Sequence, residues 1–111
     1  MLDLKQDELK QWQHHNFGEG DISDMIHGMS EEIGEMNHWY LKGKQRIRGV
    51  TASIAKEKMA DAFGDVVIYG IQAMTCLNLN AEDVLKKVFK EVLARDWKNN
   101  PNGDGYSQHN K

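Results

Sequence analysis

Several features common in proteins are scarce in this chain of 111 residues, and each scarcity excludes a particular kind of structure or sequence signal. One cysteine, Cys76, excludes a disulfide framework, and its position in an apolar helical stretch is typical of a core residue. One proline, Pro101, means that nothing before it forces a helix to end. The N-terminal segment lacks the basic start and apolar run of a targeting signal, and no run of about 18 apolar residues occurs. We therefore expect a cytoplasmic protein without a membrane span.

An excess of positive charge is also missing. The chain carries 14 basic and 17 acidic residues, a net charge of -3, which gives no reason to expect a nucleic-acid polymer as partner. Its 40% hydrophobic and 28% charged residues are ordinary for a globular protein, and its length suits one core. We expect a single domain over residues 1–97 and a flexible C-terminal tail over 98–111, which is rich in Asn and Gly.

Apolar residues recur at helical spacing, and no alternating strand pattern is present, so the chain is predicted to be all-α. Asp21 and Asn80 are expected to cap the second and fourth helices, and Gly43 is expected to end the second. The four predicted helices run from about Leu4 to His15, from Asp21 to about Lys42, from 51–53 to about Leu77, and from Asn80 to about Trp97.

Two of these helices are strongly apolar. The second presents one sector that is expected to form its core face, made of Ile22, Met25, Ile26, Met29, Ile33, Met36 and Tyr40. The third becomes apolar on all sides over Val66 to Met74, and one small chain would struggle to cover both sides. We therefore expect a homodimer or homotetramer that packs through the third helix.

Acidic residues border these apolar faces. The segment Glu31-Glu32-Ile33-Gly34-Glu35 places Glu32 at the edge of the core sector and Glu35 about 60° further round, with Glu31 more distal. Asp61 and Asp65 lie one turn apart on the third helix. If the two helices pack antiparallel, four carboxylates converge, and Mg²⁺ or Mn²⁺ would relieve their repulsion. A magnesium ion held this way usually completes its shell with substrate phosphates. The alternative is a solvated face of acids balanced by lysines.

The order of these residues resembles the MazG-like, all-α nucleoside triphosphate pyrophosphohydrolase superfamily, whose signature is Glu-Glu-x-x-Glu followed by Glu-x-x-Asp. Glu31 to Glu35 matches the first part, and the run Asp61-Ala62-Phe63-Gly64-Asp65-Val66-Val67-Ile68-Tyr69 looks like the second. Where the family has its second glutamate this chain has Ala62, so Asp61 is the expected substitute.

The resemblance implies a four-helix, bundle-like MazG-type fold and hydrolysis of a (d)NTP to (d)NMP and pyrophosphate. It also implies Mg²⁺ or Mn²⁺ as cofactor. Its metal ligands would be Glu32, Glu35, Asp61 and Asp65, with Glu31 as general base or supporting acid.

Other residues are predicted to contact the nucleotide. The basic side chains Lys42, Arg46, Lys58 and Arg95 are suited to the triphosphate, and the amide and aromatic side chains Asn16, Trp39 and Tyr69 to the base. Each has an ordinary structural explanation too, as a basic turn at a helix end or as an aromatic residue in the core.

Two rival interpretations stay open. Glu35 and His38 form one Glu-x-x-His, the half-motif of di-iron helical bundles, but a second copy is missing from the sequence. The second rival is a helical interaction or regulatory module that has kept the fold and lost the chemistry, which Ala62 makes conceivable.

Overall fold

A computed structural model describes residues 3–103, and within that range the chain forms four α-helices and no strand. The helices are α1 (Gln6–Phe17), α2 (Ile22–Gln45), α3 (Ala52–Cys76) and α4 (Ala81–Leu93). The all-α prediction is confirmed. Residues 104–111 of the predicted tail lie outside the described residues. No single described helix is long and apolar enough to span a membrane, and α3 and α4 meet that condition only as a pair bent by 109°.

Side-chain caps set where three of the helices begin. The Asp21 carboxylate accepts a hydrogen bond from the Ser23 backbone N–H at 2.7 Å, and the Asn80 side-chain oxygen accepts one from Asp83 N–H at 3.0 Å. Both predicted caps are therefore confirmed. Thr51 caps α3 in the same way, through Ile54 N–H at 3.1 Å. Each cap satisfies one of the donors that a helix start leaves unpaired.

The prediction that Gly43 ends the second helix is wrong. The helix continues to Gln45 and ends at Arg46, which adopts the left-handed conformation with φ 55°. Gly43 instead lies where α2 and α3 touch, since a Cβ at this position would sit 2.5 Å from the Cβ of Ala55. A glycine that permits close helix packing and one that permits a positive φ look alike in sequence. The fourth helix also ends earlier than expected, at Leu93 rather than near Trp97.

An antiparallel hairpin of α2 and α3 forms the body of the protein and makes most of its contacts between helices. Its register is set at two glycines: Gly28 faces Tyr69 and Gly43 faces Ala55. A side chain at Gly28 would overlap the Tyr69 ring. The Gln6 amide joins α1 to α3 and to the start of α4, donating to Thr75 Oγ1 at 3.0 Å and accepting from the Ala81 N–H at 2.8 Å.

Little apolar surface is buried by one chain. The buried apolar residues are Met25, Ala55, Ala62, Ile71, Ala73 and Ala81. Of the sector expected to face the core on α2, only Met25 is buried, whereas Ile33 and Tyr40 are 50% and 57% exposed. The expected core face is therefore not closed within one chain. The radius of gyration is 18.0 Å, against about 13 Å for a compact chain of similar length.

Candidate functional site

The hairpin register brings the two acidic segments together. Glu32 lies one turn after Gly28 on α2, and Asp65 lies one turn before Tyr69 on α3. Because the helices run antiparallel and Gly28 faces Tyr69, Glu32 faces Asp65. The predicted approach of the two acidic segments is thus present for this pair.

The pKa of the Glu32 carboxyl reflects its position opposite Asp65. Partial burial raises the pKa of the Glu32 carboxyl, and the charges of Asp65, Glu31 and Glu35 raise it further. Glu32 is half-buried, whereas those three carboxylates are exposed. Like charges held around a shielded carboxyl disfavour its ionised form, and a cation placed among them would reverse that. Glu32 is therefore the centre of the acidic cluster, which we define as Glu31, Glu32, Glu35 and Asp65.

The Asp61 side chain points in a different direction from residue 62, the position of the family glutamate that Asp61 was expected to replace. The register places Ala62, which is 4% exposed, against α2 near Glu35 and Met36. Asp61 is exposed, and successive residues of a helix point about 100° apart. Among residues 3–103 no group of three or more His, Cys, Asp or Glu side chains is arranged to hold a metal ion. Glu32 and Asp65 still fit Mg²⁺ or Mn²⁺, because magnesium commonly takes only one or two carboxylates and completes its shell with water and phosphate.

Some predicted substrate contacts lie along the same seam between α2 and α3. Lys58 places its Nζ 5.8 Å from the centre of the Trp39 ring, a cation–π arrangement across the hairpin. Lys42 is half-buried on α2, three residues after Trp39, a spacing that puts the two on neighbouring parts of one helix face. Tyr69 packs on Gly28, on the other side of the acidic cluster. The seam therefore carries a cation and an aromatic ring on one side of Glu32 and a second aromatic ring on the other.

Other predicted contacts make local hydrogen bonds. Arg46 Nε donates to the Gly43 carbonyl at 2.8 Å, which supports the end of α2. Asn16 Nδ2 donates to the Trp12 carbonyl at 2.9 Å within α1. Arg95 follows α4, outside the hairpin. His38, the histidine of the di-iron half-motif, is exposed and packs edge-on against Trp39 at 5.1 Å between ring centres.

A cavity of about 190 Å³ that sequence reasoning missed lies between α1, the α1–α2 connection and the C-terminal part of α3. Its walls include Gln72, whose side chain is buried at 5% exposure. Cys76 also lines it, and burial raises the pKa of that thiol, with the carboxylates of Asp21, Glu19 and Asp24 adding to the effect. The one sign of the cavity in the sequence is Gln72, a glutamine within an otherwise apolar helical stretch, which does not by itself indicate a cavity.

Comparisons of the chain with protein-family models, with curated proteins and with solved structures found no match.

The raised pKa of Glu32 predicts how the metal-free protein responds to pH. A raised carboxyl pKa stabilises the fold at pH values below the unfolded pKa, and that contribution is lost as pH rises through the folded pKa. Glu32→Gln should therefore raise the melting temperature at pH 7 in the presence of EDTA and have a smaller effect near pH 4. Thermal denaturation at both pH values measures this. An equal or larger gain near pH 4 would contradict it.

Proposed function

We propose that this chain is a metal-dependent nucleoside triphosphate pyrophosphohydrolase, which cleaves a (d)NTP to (d)NMP and pyrophosphate for nucleotide-pool control or house-cleaning. The observation that supports it most is the half-buried Glu32 facing Asp65 across the hairpin, with a pKa that burial and then the neighbouring carboxylates raise. The segments 31–35 and 61–69 resemble the MazG-like signature. That resemblance is the reason to assign metal binding for triphosphate hydrolysis to the Glu32–Asp65 pair.

In this proposal Glu32, Glu35, Asp61 and Asp65 would hold the metal, and Glu32 is the least exposed of the four. Mg²⁺ or Mn²⁺ held there supplies charge neutralisation of the polyphosphate and acidifies a bound water. Glu31 is exposed beside Glu32, where its carboxylate would accept the proton of the attacking water or support Glu32. Ionised Glu32 is the form that binds metal, so metal binding and proton release are coupled.

The flanks of the acidic cluster suit the rest of the nucleotide. Lys58 and Lys42 place positive charge within reach of phosphates on the side towards the α2–α3 connection. Trp39 offers a ring face, although Lys58 occupies part of that face in this structure. Tyr69 lies on the opposite side of the cluster. A triphosphate lying along the seam over the carboxylates would therefore have Lys58 and Lys42 at one end.

A substrate panel tests the proposed activity. The protein is incubated with canonical and modified ribo- and deoxyribonucleoside triphosphates in Mg²⁺ or Mn²⁺, and pyrophosphate is measured. Turnover of at least one triphosphate that depends on the metal supports the proposal. Absence of turnover across the panel with both metals would exclude it.

The buried Ala62 favours a second candidate, a MazG-like helical interaction or regulatory module without catalysis. A methyl group stands where the family has a glutamate, and it is packed against α2. This candidate predicts no hydrolysis by the natural chain. It also predicts that Ala62→Glu gains metal-dependent hydrolysis, provided the variant folds, which circular dichroism would check.

The same proposal includes assembly into a homodimer or homotetramer through α3. Phe63 is 59% exposed on that helix, and burying such a side chain contributes about 1.5–3 kcal/mol. Phe63→Glu is therefore expected to shift the protein to monomers in light-scattering chromatography. The matched control is Phe17→Glu on α1, where the phenylalanine is also exposed, and it should leave the assembly intact. A monomeric natural chain at micromolar concentration would contradict the prediction.

A further inference from the structure

Gln72, a residue that lines the cavity beside α1, carries a buried polar group without a partner. Among the described residues, the Gln72 side-chain nitrogen has no hydrogen-bond partner and almost no contact with solvent. An amide N–H₂ that is withdrawn from water without an acceptor destabilises the fold, so native proteins rarely tolerate one without a reason. An acceptor supplied by a ligand is such a reason.

Gln72 is positioned to serve the cavity. Its side chain forms part of the wall, together with Lys10, His14, Glu19, Thr75 and Asn78. The terminal amide torsion of glutamine is broad, so the N–H₂ can turn towards the cavity while the rest of the side chain stays packed. The wall thus combines a buried amide donor with a carboxylate acceptor and a lysine at a single small site.

The size of the cavity limits what fits. Its volume is about 190 Å³, and a protein cavity of about 150 Å³ is known to accept benzene. One substituted six-membered ring therefore fits. The ligand must also present a carbonyl to Gln72 and can present a ring or exocyclic N–H to Glu19.

We propose that this cavity binds a pyrimidine base, whose ring carbonyl accepts a hydrogen bond from Gln72. The identification of the ring as part of a nucleotide rests on the proposed function. Gln72 follows Asp65 by seven residues on α3, which is about 10 Å along the helix and within about 20° of the same face. That separation matches the ribose and first phosphate between a base in the cavity and a metal at Glu32 and Asp65. A free pyrimidine nucleoside carries the same ring carbonyl and N–H groups as the nucleotide.

Binding without metal tests the cavity independently of catalysis. Uridine, cytidine and adenosine are titrated into the full chain in EDTA and followed by calorimetry. Uridine or cytidine should bind at least tenfold more tightly than adenosine, and Gln72→Leu should weaken that binding at least tenfold. Gln11→Leu, on the exposed side of α1, should leave it unchanged. Gln72→Leu should also melt no lower than the natural chain, because it removes the unpaired amide.

Three results would overturn the inference: equal binding of the three nucleosides, no binding at millimolar concentration, or unchanged binding by Gln72→Leu. The outcomes separate this inference from the proposed function. Pyrimidine binding in EDTA without hydrolysis of any triphosphate would support the inference about the cavity and contradict the proposed enzyme activity. Hydrolysis without pyrimidine preference, and with an unchanged KM in Gln72→Leu, would support the proposed enzyme activity and contradict base binding in the cavity. If a nucleoside binds but pyrimidine and purine triphosphates share one KM, the cavity serves free nucleosides instead.

Discussion

Glu32→Gln and Asp65→Asn are each expected to lower metal-dependent pyrophosphate release by at least about 100-fold, because even indirect partners of a metal ligand typically contribute 10–100-fold. Both substitutions keep the size of the side chain and remove the charge that attracts the metal. Glu32 is the more informative of the two, since it lies at the centre of the acidic cluster. Initial rates at saturating Mg²⁺, together with Mn²⁺ titrations, measure the effect.

Glu57→Gln is the matched control, because it removes a carboxylate from an exposed position on the same helix as Asp65. It should change the rate less than twofold. Comparison of Asp61→Ala with Glu35→Ala then tests the two outer acids. Full activity of Asp61→Ala, combined with loss in Glu35→Ala, would show that Asp61 does not take the place of the family's glutamate. Equal loss in Glu57→Gln and Glu32→Gln would show that total charge matters rather than the facing pair.

Gly28→Ala and Gly34→Ala are expected to change stability in opposite directions, although both glycines lie inside α2. A methyl group at Gly28 would overlap the Tyr69 ring and force the two helices apart, which should lower the free energy of unfolding by about 1–3 kcal/mol. A methyl group at Gly34 meets no atom within 4 Å. It should raise the free energy of unfolding by about 0.5–1 kcal/mol through better helix propensity.

The pair also connects stability to function. Since the contact between Gly28 and Tyr69 sets the register that places Glu32 opposite Asp65, Gly28→Ala should weaken Mn²⁺ binding as well as stability. Gly34→Ala should leave metal binding intact. Urea denaturation and metal titration of both variants measure these effects. A stabilised Gly28→Ala would show that the two helices do not meet in this register.

Local chemistry made much of the fold predictable from sequence. Asp21 and Asn80 are caps because a short polar side chain precedes each apolar helical pattern, and that signal needs no tertiary information. Gly43 could not be interpreted correctly in the same way. Its role depends on Ala55, twelve residues later, which lies against it only after the hairpin forms.

The site was predictable to a similar extent. The acids of α2 and α3 could be assigned to their helices from spacing, but which residue faces which depends on the register. Only the contact between Gly28 and Tyr69 shows that Glu32 faces Asp65 and that Ala62 points towards α2. The Gln72 cavity was not predictable, since it is formed by α1 and by the α1–α2 connection, which periodicity does not place against α3.

Phosphorus NMR of the reaction products is the most direct test of the proposal that Glu32 and Asp65 hold a metal for pyrophosphate release. The natural chain and Glu32→Gln are incubated in parallel with the best triphosphate of the panel in Mg²⁺. The natural chain is predicted to produce monophosphate and pyrophosphate in equal amounts, and Glu32→Gln to leave the triphosphate intact over the same time. Release of orthophosphate and diphosphate instead, or identical product formation by the two proteins, would contradict the proposal.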